Sequence, residues 1–252
     1  MKKTSFYLLL LNLLFFSFNT NAQNFALGIR GGMSIPNLTA GSDQTPLSTG
    51  YSSRLGADGG IFAEFKFSNL FSLQPMIEYS DQGGKKDGVQ AFPLPAAYSA
   101  YSSLFPSGYL YANYNSVAKL NYLMLPVLAK FGWNLCSSRF RIYVDAGPFV
   151  SYLISAHQVT SGESLIYSSP SETQPLPAPA QSFNATTDIR DQLYTVNMGI
   201  EGNLGISYKL CRGNIFIEGG GNYGFLNIQK NPQDGKNNTG AGTVAVGYEY
   251  WF

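Results

Sequence analysis

The sequence predicts an all-β fold, an eight-stranded antiparallel up-and-down transmembrane β-barrel with short periplasmic turns and long extracellular loops. Three observations carry that prediction. Eight segments alternate apolar with polar residues, the connections between them alternate short and long, and the chain runs from a leader-like N-terminus to an aromatic last strand.

At the start, Lys2 and Lys3 precede the apolar run Tyr7 to Phe18, and Asn19-Thr20-Asn21-Ala22 follows with small and polar residues. This pattern reads as a secretory signal peptide cut after Ala22, so residues 1–22 are assigned to the leader and 23–252 to the barrel. The apolar run is too short for a spanning helix, which needs roughly 18 or more apolar residues. Leu123 to Ala129 is shorter still and holds Pro126. No cysteine stands at the cut, so no lipoprotein anchor is expected.

The strands follow in order. Phe25 to Ile35 sets Phe25, Leu27 and Ile29 against Gly28, Arg30 and Gly32. Leu55 to Phe67 sets Ile61, Ala63, Phe65 and Phe67 against Asp58, Glu64 and Lys66. Leu70 to Asp81 alternates Phe71, Leu73, Pro75, Ile77 and Tyr79 with Ser72, Gln74, Met76 and Glu78. The fourth strand runs from about Val117 to Trp133, and the fifth, Phe140 to Leu153, turns Arg141, Tyr143 and Asp145 inward. Leu193 to Leu210 carries Met198, Ile200, Leu204 and Ile206 opposite Asn197, Glu201 and Asn203. Asn214 to Ile228 is the seventh. In the eighth, which begins near Thr243, Val244, Val246, Tyr248, Tyr250 and Phe252 share one face and Glu249 lies on the other. Each is long enough for the roughly 9–11 residues that a tilted spanning strand needs.

Ser68-Asn69, Leu135 to Ser138 and Cys211-Arg212-Gly213 are the tight turns; Pro36 to Arg54, Gly83 to Ser116, Ala156 to Gln192 and Gln229 to Thr239 are the long loops. An even strand count puts both ends and the tight turns in the periplasm and the long loops outside the cell. A soluble lipocalin-like barrel would bury its apolar face, whereas these strands set charges opposite a continuous aromatic and aliphatic face, which suits lipid. In hydrocarbon each unpaired edge group costs several kcal/mol, so the first strand has to pair with the last. Gly31-Gly32 and Gly219-Gly220-Gly221 are expected to let strands bend in a tight barrel. The expected location is the cell outer membrane.

The full chain has 16 basic and 15 acidic residues, and losing Lys2 and Lys3 leaves a net charge of −1. No Lys/Arg cluster is long enough to neutralise a run of phosphates, which sets nucleic acid aside.

Some segments resemble a known family. Leu120-Asn121-Tyr122-Leu123-Met124-Leu125-Pro126-Val127-Leu128-Ala129-Lys130-Phe131-Gly132 is similar to a strand of the PorT-like outer-membrane β-barrel family. Asn222-Tyr223-Gly224-Phe225-Leu226-Asn227-Ile228 resembles that family's late strand end, and Gly28-Ile29-Arg30-Gly31-Gly32-Met33-Ser34 its glycine-rich first strand. The resemblance covers the mature chain and implies an eight-stranded barrel of Gram-negative outer membranes. The family often has Glu two residues before the proline, where this chain has Met124. The founding member is associated with type IX protein secretion, a role that strand motifs alone do not transfer.

Inward-facing candidates are Arg30, Lys66, Lys119, Lys130, Arg141 and Lys209 against Asp58, Glu64, Glu78, Asp145, Glu201, Glu218 and Glu249. Their near balance predicts a packed interior network, since eight strands enclose just enough room for side chains; the competing reading is a narrow solute or ion path. His157 is the lone histidine and would have to serve any hydroxyl-activating triad with Ser155 or Glu163, so no catalytic residue is assigned and a solvated loop histidine is the reading adopted. Cys136 and Cys211 lie in neighbouring periplasmic turns; the readings are a disulfide or two separate thiols. No metal site and no cofactor is expected. Among the aromatic-rich loops, Tyr98, Tyr101, Phe105, Tyr109 and Tyr111 could offer stacking surfaces to a glycan or protein, or could pack the loops on one another.

These readings converge on a non-enzymatic outer-membrane component, structural or accessory, embedded in outer-membrane lipid and binding another outer-membrane or surface protein or glycan through loops or rim. The alternatives are a narrow solute porin, a secretion-machinery component by family resemblance, and a rim-located enzyme.

Overall fold

The computed structural model describes residues 24–42, 44–95, 105, 107–135, 138–173 and 175–252. Eight long strands form the wall: β1 (Phe25–Ala40), β2 (Gly56–Lys66), β3 (Phe71–Lys86), β6 (Asn115–Asn134), β7 (Phe140–Ser161), β11 (Val196–Lys209), β12 (Gly213–Gly224) and β13 (Asn237–Trp251). The shorter β4 (Val89–Pro93) pairs with β5 (Tyr109–Asn113), β8 (Glu163–Ser164) pairs with β9 (Gln181–Ser182), and β10 (Ala185–Asp188) adds to β7. Each wall strand pairs antiparallel with its sequence neighbours in the wall, and β1 closes on β13 through fifteen residue pairs from Ala26↔Trp251 to Ala40↔Asn237. Closure removes every edge from the lipid-facing wall.

Side-chain period dictates the two faces. On β1, Leu27, Ile29, Met33 and Ile35 are exposed, while Arg30 and Ser34 are buried. On β11 the exposed set is Met198, Ile200, Leu204 and Ile206 and the buried set Asn197, Glu201, Asn203 and Ser207. An apolar outer belt of this kind runs across all the wall strands and is stable only against hydrocarbon. At the periplasmic end aromatic rings cluster: Phe25 with Phe65 (5.2 Å) and Phe252 (5.7 Å), Phe71 with Phe131 (5.1 Å), and Phe140 with Tyr208 (4.9 Å).

The tight turns hold their backbone locally. Ser68 Oγ accepts from the amides of Leu70 (3.2 Å) and Phe71 (3.0 Å), and the Leu210 amide donates to Gly213 O at 2.7 Å. On the outer side the strands run past their expected ends: β1 reaches Ala40, β3 Lys86 and β7 Ser161, and β13 begins at Asn237. Residues assigned to loops thus form wall, because above the lipid a paired strand remains the cheapest way to satisfy backbone groups. At 22 residues, β7 has about twice the length that crossing requires. The expected seventh strand, by contrast, ends at Gly224 rather than Ile228, and β11 starts at Val196 rather than Leu193.

Candidate functional site

The interior is layered from the periplasm outward. Lowest is Lys130 on β6, whose Nζ donates to Glu64 Oε2 (2.8 Å) and Gln74 Oε1 (3.1 Å), lies 3.8 Å from Glu249 Oε2 and sits 4.2 Å from the Tyr143 ring centre. Ser72 donates to Glu64 (2.7 Å), and Asn214 and Trp251 both donate to Glu249. Above it Phe62, Met76, Leu128, Tyr143 and Phe216 pack as an apolar layer.

The next layer is centred on Arg30. Its guanidinium meets Glu78 (2.8 Å), Glu218 (2.8 Å), Glu201 (3.1 Å) and Asp58 (3.4 Å), carboxylates from four different strands. Tyr143 donates to Glu218 at 2.7 Å, and Asn203 donates to Asp145 (2.9 Å) and Glu201 (3.1 Å). One planar guanidinium with five donors suits such a ring better than an ammonium would. Gly32 and Gly220 lack the Cβ that would meet Val244 O and Asn203 Oδ1, 2.0 and 2.2 Å away, so strands close tightly around this layer.

Above the charged layers Gln82 donates to Ser80 (2.9 Å) and Asn222 (3.1 Å), and Asn197 donates to Thr239 (3.1 Å). A cap of Leu38, Leu120, Tyr122, Met124, Phe149, Leu153, Leu193 and Ile228 then fills the outer mouth, with Tyr51 and Ile189 packed on it. The loops are tied down over it. Asn237 Nδ2 donates to Ser48 O (2.8 Å), Arg54 pairs with Asp81, and Lys86 donates to Leu47 O (2.6 Å) while lying 4.3 Å from the Tyr51 ring centre. Burial pushes the Tyr51 phenol up to about 12 and the Lys86 ammonium down to about 8, since both charged forms lose water there.

The expected charge balance does not hold inside. Among the described residues the fully buried charges are two cations, Arg30 and Lys130, and seven carboxylates, Asp58, Glu64, Glu78, Asp145, Glu201, Glu218 and Glu249. The other cations lie elsewhere. Lys66 and Arg141 are half-buried at the periplasmic mouth, Lys66 6.0 Å from the Trp251 ring centre and Arg141 donating to Asn69 O at 3.3 Å. Lys119 is exposed because on β6 the even-numbered residues point inward, and Lys209 is exposed at the strand's periplasmic tip.

Of the loop aromatics, Tyr98 and Tyr101 lie outside the described residues; Phe105, Tyr109 and Tyr111 are half-buried. Nearby rings pack on each other, with Tyr114 stacked on Phe183 at 4.5 Å and Phe92 edge-on to it at 5.9 Å. His157 stands in register between Lys119 and Asp188, and Ser155 Oγ accepts from Asn121 at 2.9 Å. Among the described residues no hydrogen bond joins His157 to Ser155 or Asp188, so the elements of a triad share a sheet face without engaging. Cys211 is exposed and, among the described residues, has no disulfide partner; Cys136 lies outside them. The charged interior follows from strand parity, but the cap does not: Tyr51, Leu193 and Ile228 come from loops or strand ends and meet only in three dimensions.

Residues 21–230 match the family model described as outer membrane protein beta-barrel domain. The chain belongs to that family. An outer membrane beta-barrel domain protein of this kind resides in the cell outer membrane, with its apolar belt in the bilayer. No curated protein matches it. Among solved structures it is similar to neisserial surface protein A (TM-score 0.41, 10% identity, 90% of this chain and 97% of that one). It is also similar to OprG from Pseudomonas aeruginosa (TM-score 0.38, 11% identity, 91% and 97%) and Ail of Yersinia pestis (TM-score 0.37, 8% identity, 90% and 99%).

Proposed function

We propose that this protein is a closed, non-enzymatic accessory component of the outer membrane, delivered by a leader spanning residues 1–22, and that it binds a surface protein or glycan through its external part. The observation that carries this reading is the apolar cap. Leu120, Leu153 and Ile228, all at most 2% exposed, sit at the mouth where a solute path would have to open. A filled lumen leaves the wall above the lipid, the β4–β5 hairpin and the loops as the surfaces offered to the cell's surroundings. The strand motifs favour the PorT-like branch of the family.

The hairpin tests the reading. Its base closes where the Tyr114 amide donates to Gly88 O at 3.1 Å, so residues 89–113 can be replaced by a two-residue turn without opening the wall. The trimmed protein is expected to fold, because loop shortening changes closure entropy little. Affinity capture from gently solubilised outer membrane should lose the partner recovered by the intact protein; unchanged capture would refute loop-mediated binding.

A further inference from the structure

A second candidate surface lies at β10. Above the point where β7 and β11 part (Tyr152↔Val196), β10 takes over as the neighbour of β7, in the register Ala185↔Thr160 to Asp188↔His157. In the strand order β10 is terminal, so among the described residues its other edge is unpaired, and all four of its residues are exposed. The hydrogen-bonding parity follows from its flanks. The Phe183 amide donates to Gly162 O (2.9 Å) and the Ile189 amide to Ala156 O (3.0 Å), two opposed pairs in the same register. Bonded pairs alternate along an antiparallel ladder, so Ala185 and Thr187 bond to β7 while Thr186 and Asp188 turn N–H and C=O to the free edge.

We propose that this edge accepts an extended segment of a partner protein by strand addition, the segment carrying Lys or Arg opposite Asp188; the proposal rests on the partner-binding reading above. Three features argue for that occupant. The edge is four residues outside the lipid belt, whose last exposed apolar member on β7 is Ile154, so it faces water where a soluble chain can reach it. The edge carries no Pro or Lys of the kind that blocks pairing. Directly opposed charges across strands add stability, and the Asp188 carboxylate is exposed, with Oδ1 accepting from the Arg190 amide at 2.9 Å and Oδ2 left for a cation on an added strand's opposed residue. A second copy fits poorly: copies in one membrane share an orientation, so two β10 strands tilted by roughly 35–45° would cross instead of running antiparallel.

The probe is the peptide acetyl-Thr-Lys-Thr-Val-Thr-amide, which in antiparallel register places Lys opposite Asp188 and Val opposite Thr186. It would be titrated onto the full barrel in nanodiscs while amide exchange is followed by NMR. Without peptide, the Thr186 and Asp188 amides should exchange at least tenfold faster than those of Thr187 and Ile189; with it, they should become protected. N-methylation at Lys and Val should weaken binding at least tenfold, and N-methylation at the three Thr positions, whose amides face away, should leave it far less affected. Thr186→Pro removes an outward N–H while sparing the β7 ladder, and should abolish binding. Asp188→Lys should reverse the preference toward the same peptide with Glu in place of Lys.

Failure to bind, equal binding of both N-methylated peptides, protection elsewhere on the barrel, or a β10-mediated dimer would each overturn the proposal. The hairpin-trimmed protein separates the two readings: it retains β10, so it should still bind the peptide. Partner capture that survives in the Thr186→Pro protein but is lost on trimming would leave the partner-binding reading standing and remove the edge.

Discussion

Replacing Arg30 by Met removes the only cation that the described residues place in the layer holding Asp58, Glu78, Asp145, Glu201 and Glu218. At an effective dielectric constant of ~20, a charge pair near 3 Å attracts by roughly 5–6 kcal/mol. Arg30 makes four such contacts, at 2.8, 2.8, 3.1 and 3.4 Å, and these oppose the cost of taking the guanidinium out of water. Without it the desolvation of the carboxylates and their mutual repulsion remain. Breaking a buried pair by deleting one partner costs about 3–5 kcal/mol, and with four partners the upper part of that range is expected. The measurement is the urea midpoint of folding into lipid vesicles, read from the mobility shift between folded and unfolded barrel. Met keeps much of the stem's volume, so packing loss contributes little. Adding Glu78→Gln and Glu201→Gln to Arg30→Met should recover part of the loss, because both remove repulsion. A variant within about 1 kcal/mol of the parent, or no recovery in the triple variant, would refute the layer as an electrostatic lock.

Leu204→Arg on the lipid face should destabilise insertion by about 2–4 kcal/mol, whereas Ser171→Arg in an external loop should leave it unchanged; equal folding yields would contradict the topology. Purified protein in planar bilayers should show no stable large conductance, since the cap and the Phe62 layer block the lumen in series. Lys86 predicts a pH dependence: its folded value near 8 lies below the ordinary 10.5, so between these values the unfolded chain holds the proton that the folded one has lost. Stability should therefore rise with pH through that window, by less than a fully buried lysine would give, and Lys86→Met should flatten the rise. His157→Ala should leave any cellular phenotype intact, because among the described residues no hydroxyl or carboxylate engages the imidazole.

Much of this molecule is written in period two. Leu27, Ile29, Leu204 and Ile206 against Arg30, Glu201 and Asn203 are enough to separate the lipid face from the lumen, because a strand leaves a side chain no third direction. Turns such as Ser68-Asn69 and the unpaired edge forbidden in hydrocarbon then dictate antiparallel neighbours and closure of β1 on β13. The tertiary structure decided what parity cannot express. Height along the barrel axis separates Arg30 and Lys130, which meet carboxylates, from Lys66, Arg141 and Lys209, which share the inward parity but lie at the periplasmic mouth, and Lys119 has the opposite parity. The interior is consequently acidic although the sequence is nearly neutral, since net charge counts residues and a lumen counts only those at its depth. The cap likewise joins Tyr51, Leu193 and Ile228 from three separate connections. The free edge of β10 exists because β11 leaves β7 at Tyr152, a departure set by where neighbouring strands stop pairing, which no local pattern in Ala185–Asp188 records.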